Sequence, residues 1–106
     1  MEQMTMTFPA MEPADLRAVV GVVSSGDLEV LLEPGKGGES VVTVNTSVDG
    51  GQERWRAVLE RVLGSGALPS VSLEINDSGA TPGVIRLRLA QAFDEVSRRG
   101  GEPRWD

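Results

Sequence analysis

From Met4 to Phe8 apolar and hydroxyl residues take turns, Met-Thr-Met-Thr-Phe, which is the period-two pattern of a strand with one buried face. Pro9 and Pro13 close this segment. Arg17 to Val23 is an apolar, β-branched run, interrupted by Ser24-Ser25-Gly26-Asp27. The alternation then resumes from Leu28 to Glu33, with Leu28, Val30 and Leu32 on one face and Glu29, Leu31 and Glu33 on the other. Two such runs around a short Ser/Gly/Asp turn predict a β-hairpin. Pro34-Gly35-Lys36-Gly37-Gly38 makes a second loop, and Val41 to Thr46 a third strand, expected in the same antiparallel set.

The period then changes. Trp55, Val58, Leu59, Val62 and Leu63 follow the i, i+3, i+4, i+7, i+8 spacing of an amphipathic helix, with Arg54, Arg56, Glu60 and Arg61 on much of the other face. Asp49 and Gln52, three residues apart, suggest a capping box at its start, and Gly64 and Gly66 its end. Val71, Leu73 and Ile75 alternate with Ser72, Glu74 and Asn76 as a further strand. Thr81-Pro82 reads as an N-cap followed by proline at the first helical position. From there a second helix runs to about Arg98, with Ile85, Leu89, Ala92, Phe93 and Val96 on one stripe. Arg98 and Arg99 suit the negative end of its dipole, Gly100-Gly101 would end it, and Glu102 to Asp106 is expected as a loose tail.

Strand, hairpin, strand, helix, strand, helix predicts an α+β fold: a small single-domain sandwich, an antiparallel or mixed β-sheet with two helices packed on one face. One domain is expected over 1–106, with 1–12 and 100–106 its more loosely ordered ends. Trp55, Leu59, Val62, Leu89 and Phe93 are expected in the core with Val30, Leu73 and Ile75.

Composition narrows the chemistry. The 106 residues include no cysteine and no histidine. A Cys or His nucleophile, a Ser-His-Asp triad and the usual zinc sites are therefore excluded, and any thiol chemistry needs a thiol supplied by something covalently bound. A chain of this length buries roughly 60–70% of its unfolded surface, enough for an aliphatic core without metal or disulfide. The formal net charge is −6, and no basic run is long enough to follow a phosphate backbone, so nucleic acid is not an expected partner. Met1 to Ala10 lacks the charged start and apolar stretch of a signal peptide, and no apolar run reaches membrane-spanning length. A soluble, cytoplasmic protein is expected, with no membrane partner.

Three places could carry function. At the hairpin tip, a serine beside Gly26 is exposed and open to another protein's backbone, which suits a hydroxyl to be modified; the same residues are also ordinary turn formers. The segment Glu74-Ile75-Asn76-Asp77-Ser78-Gly79-Ala80-Thr81-Pro82-Gly83 leads from a strand into a helix N-terminus, where Asn76, Asp77 and Thr81 could meet a phosphate-bearing group or a partner, or simply cap the turn. It lacks the spacing and the lysine of a P-loop. The carboxylates Asp27, Glu29, Glu33 and Asp77 could do acid–base work only if gathered in a pocket, and the pattern places Glu29 and Glu33 on a solvated strand face.

Val20-Gly21-Val22-Val23-Ser24-Ser25-Gly26-Asp27-Leu28-Glu29-Val30-Leu31-Leu32-Glu33-Pro34 resembles the malonate decarboxylase acyl carrier protein (delta subunit) family. So do Thr46-Ser47-Val48-Asp49-Gly50 and Glu74-Ile75-Asn76-Asp77 with Gly79-Ala80-Thr81-Pro82-Gly83-Val84. These blocks span roughly residues 17 to 93. The resemblance implies a non-catalytic carrier subunit. Its serine before Gly-Asp would bear a 2′-(5″-phosphoribosyl)-3′-dephospho-coenzyme A group through a phosphodiester, with Gly26 and Asp27 completing the attachment motif. That arm would hold acetyl and malonyl thioesters and deliver them between a malonate/acetyl transferase subunit and the decarboxylase subunits. A prosthetic-group transferase would install it. The family tip reads Gly-Ser-Gly-Asp; Ser24 stands at the first position here, so two serines adjoin, and Ser25 keeps the Ser-Gly-Asp spacing. The β-rich first half sets the chain apart from the four-helix bundle of ordinary acyl carrier proteins. A citrate-lyase-type carrier subunit is the more distant look-alike, and an interaction module that carries nothing is the rival of another class.

Overall fold

A computed structural model describes residues 1–100 of the chain, with the side chains of residues 1–97. Seven elements follow one another: β1 (Glu2–Pro9), β2 (Ala18–Gly21), β3 (Leu28–Pro34), β4 (Glu39–Thr46), α1 (Gln52–Leu63), β5 (Val71–Asp77) and α2 (Pro82–Gly100). The strands form one mixed sheet in the order β1-β4-β5-β3-β2. The fold is α+β, with a five-stranded mixed sheet and two helices.

The register is set by the alternation already visible in the sequence. Two apolar rows cross the whole sheet on one face. Met4, Val44, Ile75, Val30 and Val20 stand opposite one another in turn, and so do Met6, Val42, Leu73, Leu32 and Ala18. A slip of one residue in any strand would expose its half of these rows, so burial of this face fixes the pairing. α1 packs against β1 and α2, while α2 packs against β2 and β3. Trp55, Val58, Leu59 and Leu63 are buried from α1, and Ile85, Leu89, Ala92, Phe93 and Val96 from α2. Of the expected core, only Val62 is half-buried at its edge.

The topology differs from the expectation in one respect. β4 does not extend the antiparallel hairpin set. It pairs antiparallel with β1 and parallel with β5, and β5 lies between it and β3. The cause is α1: a helix between consecutive strands is a crossover connection, which sets the second strand parallel beside the first. The next difference is at the hairpin. β2 ends at Gly21, so Val22 and Val23 leave the sheet and are more than half exposed. The expected capping box is not formed either. Gly51 is the N-cap of α1 and no side chain caps it. Asp49 instead meets the N-terminal ammonium of Met1 at 3.1 Å. The Thr81 cap is present, its Oγ1 accepting the Val84 N–H at 3.3 Å. The Arg98 and Arg99 side chains, a stop at Gly101 and the tail from Glu102 lie outside the described residues.

At the sheet end away from the hairpin tip, buried hydroxyls close the backbone account. Ser40 Oγ accepts the Val71 N–H at 2.9 Å, and Ser70 Oγ accepts the Gly37 N–H at 3.0 Å. Among the described residues no buried side-chain nitrogen or oxygen lacks a partner. None of the helices among them is long and apolar enough to cross a membrane.

Candidate functional site: the serine turn

The β2–β3 connection is a loop whose corner is a type II turn. The Asp27 N–H donates to the Ser24 carbonyl at 2.9 Å, closing a four-residue turn over Ser25 and Gly26. Gly26 has φ +77°, and among the described residues none other than glycine has positive φ. Positive φ at the third position alone defines type II and favours glycine there. Ser25 thus occupies the outer corner, exposed, while Ser24 begins the turn. A Cβ added to Gly26 would meet nothing within 4 Å, so the space over the turn is open.

The loop is tied to the rest of the fold by backbone and by one ion pair. The Gly26 N–H donates to the Ser78 carbonyl at 2.8 Å, and the Ser78 N–H to the Asp27 carbonyl at 3.0 Å. The β3–β5 ladder therefore continues past β5 into the turn. Asp27 is gripped by Arg88 of α2: Nε donates to Oδ1 at 3.1 Å and Nη2 to Oδ2 at 2.8 Å. Asp27 Oδ1 also accepts the Leu28 N–H at 2.7 Å. The side chains of Arg88 and Asp27 are 26% and 19% exposed, so the pair is partly shielded. The Arg88 hydrogen bonds and the Leu28 N–H hold the Asp27 carboxyl below its ordinary value, and Asp27 raises that of Arg88 in return. A lowered carboxylate pKa contributes stability above the unfolded value that is lost as pH falls through the folded one. The pair is therefore intact at neutral pH and weakens only in acid.

The other sequence candidates divide. Asp77 pairs opposite Leu28 at the end of β5, but its side chain turns to the helix side and is buried. Oδ1 accepts the Ala80 N–H at 2.9 Å and Oδ2 the Thr46 hydroxyl at 2.8 Å. It shapes the turn that carries the chain from β5 to α2. Asp77→Ala is expected to cost about 1–3 kcal/mol in denaturant melts, since it leaves Ala80 N–H and Thr46 hydroxyl without their acceptor. Asp77→Asn, which keeps one acceptor, is expected to cost less. Asn76 points to the open face, in a row of side chains that spans four strands. Gln3 donates to Asn45 at 2.7 Å, Asn45 to Asn76 at 3.0 Å, and Asn76 to Glu29 Oε1 at 3.1 Å. Thr81 is exposed at the start of α2.

The carboxylates are not gathered. Glu33 faces Arg17 at 3.8 Å, Glu29 ends the amide row, and Asp27 and Asp77 have the partners just given. No group of acidic residues among the described residues could hold a metal ion. Two contributors to the loop escaped the sequence reading. Ser78 acts through its backbone, which no side-chain pattern reveals. Arg88 lies two residues from the exposed Arg86 on α2, and nothing local marks it as the partner of a residue 61 positions away.

A family model described as malonate decarboxylase delta subunit matches residues 15–96. A malonate decarboxylase acyl carrier protein of Azotobacter vinelandii is 55% identical over 97 residues, covering 92% of this chain and 98% of that protein. One from Pseudomonas putida (strain GB-1) is 52% identical with the same coverage. A chain of the crystal structure of a Pseudomonas malonate decarboxylase hetero-tetramer in complex with malonate superposes with a TM-score of 0.88 at 50% identity, over 91% of this chain and 99% of that one. With the match running through the serine turn and both helices, the chain belongs to the malonate decarboxylase acyl carrier protein, or delta subunit, family.

Proposed function

We propose that this protein is the acyl carrier subunit of a malonate decarboxylase and that Ser25 is the attachment point of its arm, a 2′-(5″-phosphoribosyl)-3′-dephospho-coenzyme A group held through a phosphodiester. The observation that carries the reading is the corner position of Ser25, an exposed hydroxyl at the tip of a turn anchored on its Asp27 side. The open space over Gly26 fits the approach of a modifying enzyme and of the arm itself. When bound, the arm supplies the thiol that a chain without cysteine lacks, and so a place for acetyl and malonyl thioesters. Attachment joins Ser25 Oγ to the phosphorus of an activated precursor, a phosphoric anhydride of the arm. The anhydride P–O bond breaks, and the serine proton and the phosphate leaving group depart.

The protein's own part is delivery. Its turn is anchored at the base and open above, and tethering keeps an acyl group at high effective concentration for successive partners. Those partners are a malonate/acetyl transferase subunit, the decarboxylase subunits and the prosthetic-group transferase that installs the arm. An acidic carrier, with net charge −6, favours basic docking patches on them through steering.

Intact mass tests the reading. Incubated with the transferase and the activated precursor, the wild-type chain is expected to gain the mass of one arm and then to accept an acetyl group. No added mass, under conditions that modify an established carrier of the family, would overturn it.

A further inference from the structure

The serine loop is anchored unevenly. Its N-terminal half, Val22 to Ser24, is exposed, and its hydrogen bond, from the Ser24 N–H to the Val22 carbonyl at 3.1 Å, stays within the loop. The ties to the rest of the fold lie after Ser25, at Gly26 and Asp27. Arg88 reaches both feet of the loop. Its guanidinium forks onto Asp27, and its Cδ would lie 3.3 Å from a Cβ built on Gly21. Gly21 itself, at φ +83°, has no room for a side chain, because an added Cβ would collide with the Leu28 carbonyl.

The fork does more than a point charge could. Two parallel N–H···O bonds fix the carboxylate plane, and the Leu28 N–H fixes it a third time from the backbone. A third arginine nitrogen, Nη1, donates to Gln91 Oε1 at 3.0 Å, so the guanidinium is itself oriented from its own helix. With three N–H donors on the Asp27 carboxylate and the Gly26 N–H and Asp27 carbonyl bonded to Ser78, the Gly26–Asp27 segment is anchored beside the corner on which Ser25 stands.

We propose that Arg88 is a positioning residue for arm attachment, acting through Asp27 to hold the turn corner from which the Ser25 hydroxyl attacks the precursor's phosphorus in the prosthetic-group transferase. The proposal rests on the reading of Ser25 as the attachment site. Orientation of the nucleophile affects the rate of the bond-forming step, not the encounter of two folded proteins. Misplacement by about 1 Å can slow a reaction on the order of a hundredfold.

Initial rates of arm transfer onto the full-length carrier, at varied carrier concentration, provide the test. Arg88→Gln is expected to lower kcat at least about tenfold, with KM for the carrier changed by no more than about twofold. Arg88→Lys, which can meet one carboxylate oxygen but cannot fork, should recover part of the loss. Asp27→Asn combined with Arg88→Gln should be no slower than the slower single variant, because both act through one contact. Thermal melts run alongside; if Arg88→Gln does not fold, Arg88→Lys and Asp27→Asn make the same comparison. A folded Arg88→Gln protein modified at the wild-type rate would overturn the proposal. So would a loss confined to KM with additive effects in the double variant, since Arg88 would then touch the transferase directly. Wild-type chain that takes no arm would instead overturn the reading of Ser25, a different result on a different sample.

Discussion

Ser25→Ala is expected to fold like the wild-type protein and to take up no arm. Both halves follow from the turn. The bonds that close and anchor it run between backbone groups of Ser24, Gly26, Asp27 and Ser78 and through the Asp27 carboxylate. None of them uses the Ser25 hydroxyl, so its removal should change stability by no more than about 0.5 kcal/mol. The loss of modification should be complete, since alanine offers no oxygen to the precursor's phosphorus, and charging with acyl groups and support of malonate decarboxylation should go with it. Ser24→Ala should keep the arm, because Ser24 contributes to the turn through its carbonyl. Intact mass and peptide mapping of both variants, after incubation with transferase and precursor, read this directly. An arm kept by Ser25→Ala and lost from Ser24→Ala would move the attachment by one residue.

The largest stability effect is expected at Leu59. It is completely buried on α1, between Trp55 and Leu63 on the stripe that meets the sheet and α2. Leu59→Ala removes buried methyl groups and leaves a cavity that a close-packed core fills only in part, at a cost of roughly 2–5 kcal/mol. For a domain of this size that is a large share of a total of about 5–15 kcal/mol. The denaturant midpoint should fall with the slope unchanged. Arg56→Ala, on the exposed side of the same helix, should move it by about 0.5 kcal/mol or less. A shift at Leu59 below about 0.5 kcal/mol would mean that this face is not the core.

What the sequence made legible was whatever a local period encodes. The buried rows of β1, β3, β4 and β5 and both helix stripes are alternations or 3.6-residue repeats, and each recurs in the fold. The Thr81-Pro82 start of α2 was equally local and is present. Strand order was not legible, because nothing in Val41 to Thr46 states that its neighbour will be β5 and not β3. The Asp49–Gln52 box failed because Gly51, not Asp49, became the cap residue and Asp49 found the amino terminus. At the serine turn the Ser-Gly-Asp motif was visible, along with glycine's place in it. The hold on Asp27 was not, since an arginine's partner across the fold leaves no periodic trace.

That last separation bears on when the turn exists. Ser24 to Asp27 are contiguous and emerge together, but Ser78 and Arg88 follow far later in the chain. Of the strand pairings only β2 with β3 is local, and a sheet dominated by distant pairings assembles slowly. During synthesis, or in an unfolded chain, the motif is on display without the carbonyl and guanidinium that shape it. The bonds that Ser78 and Arg88 make to the serine turn can form only once β5 and α2 have docked, so the anchoring of the arm's turn waits on the last elements of the chain.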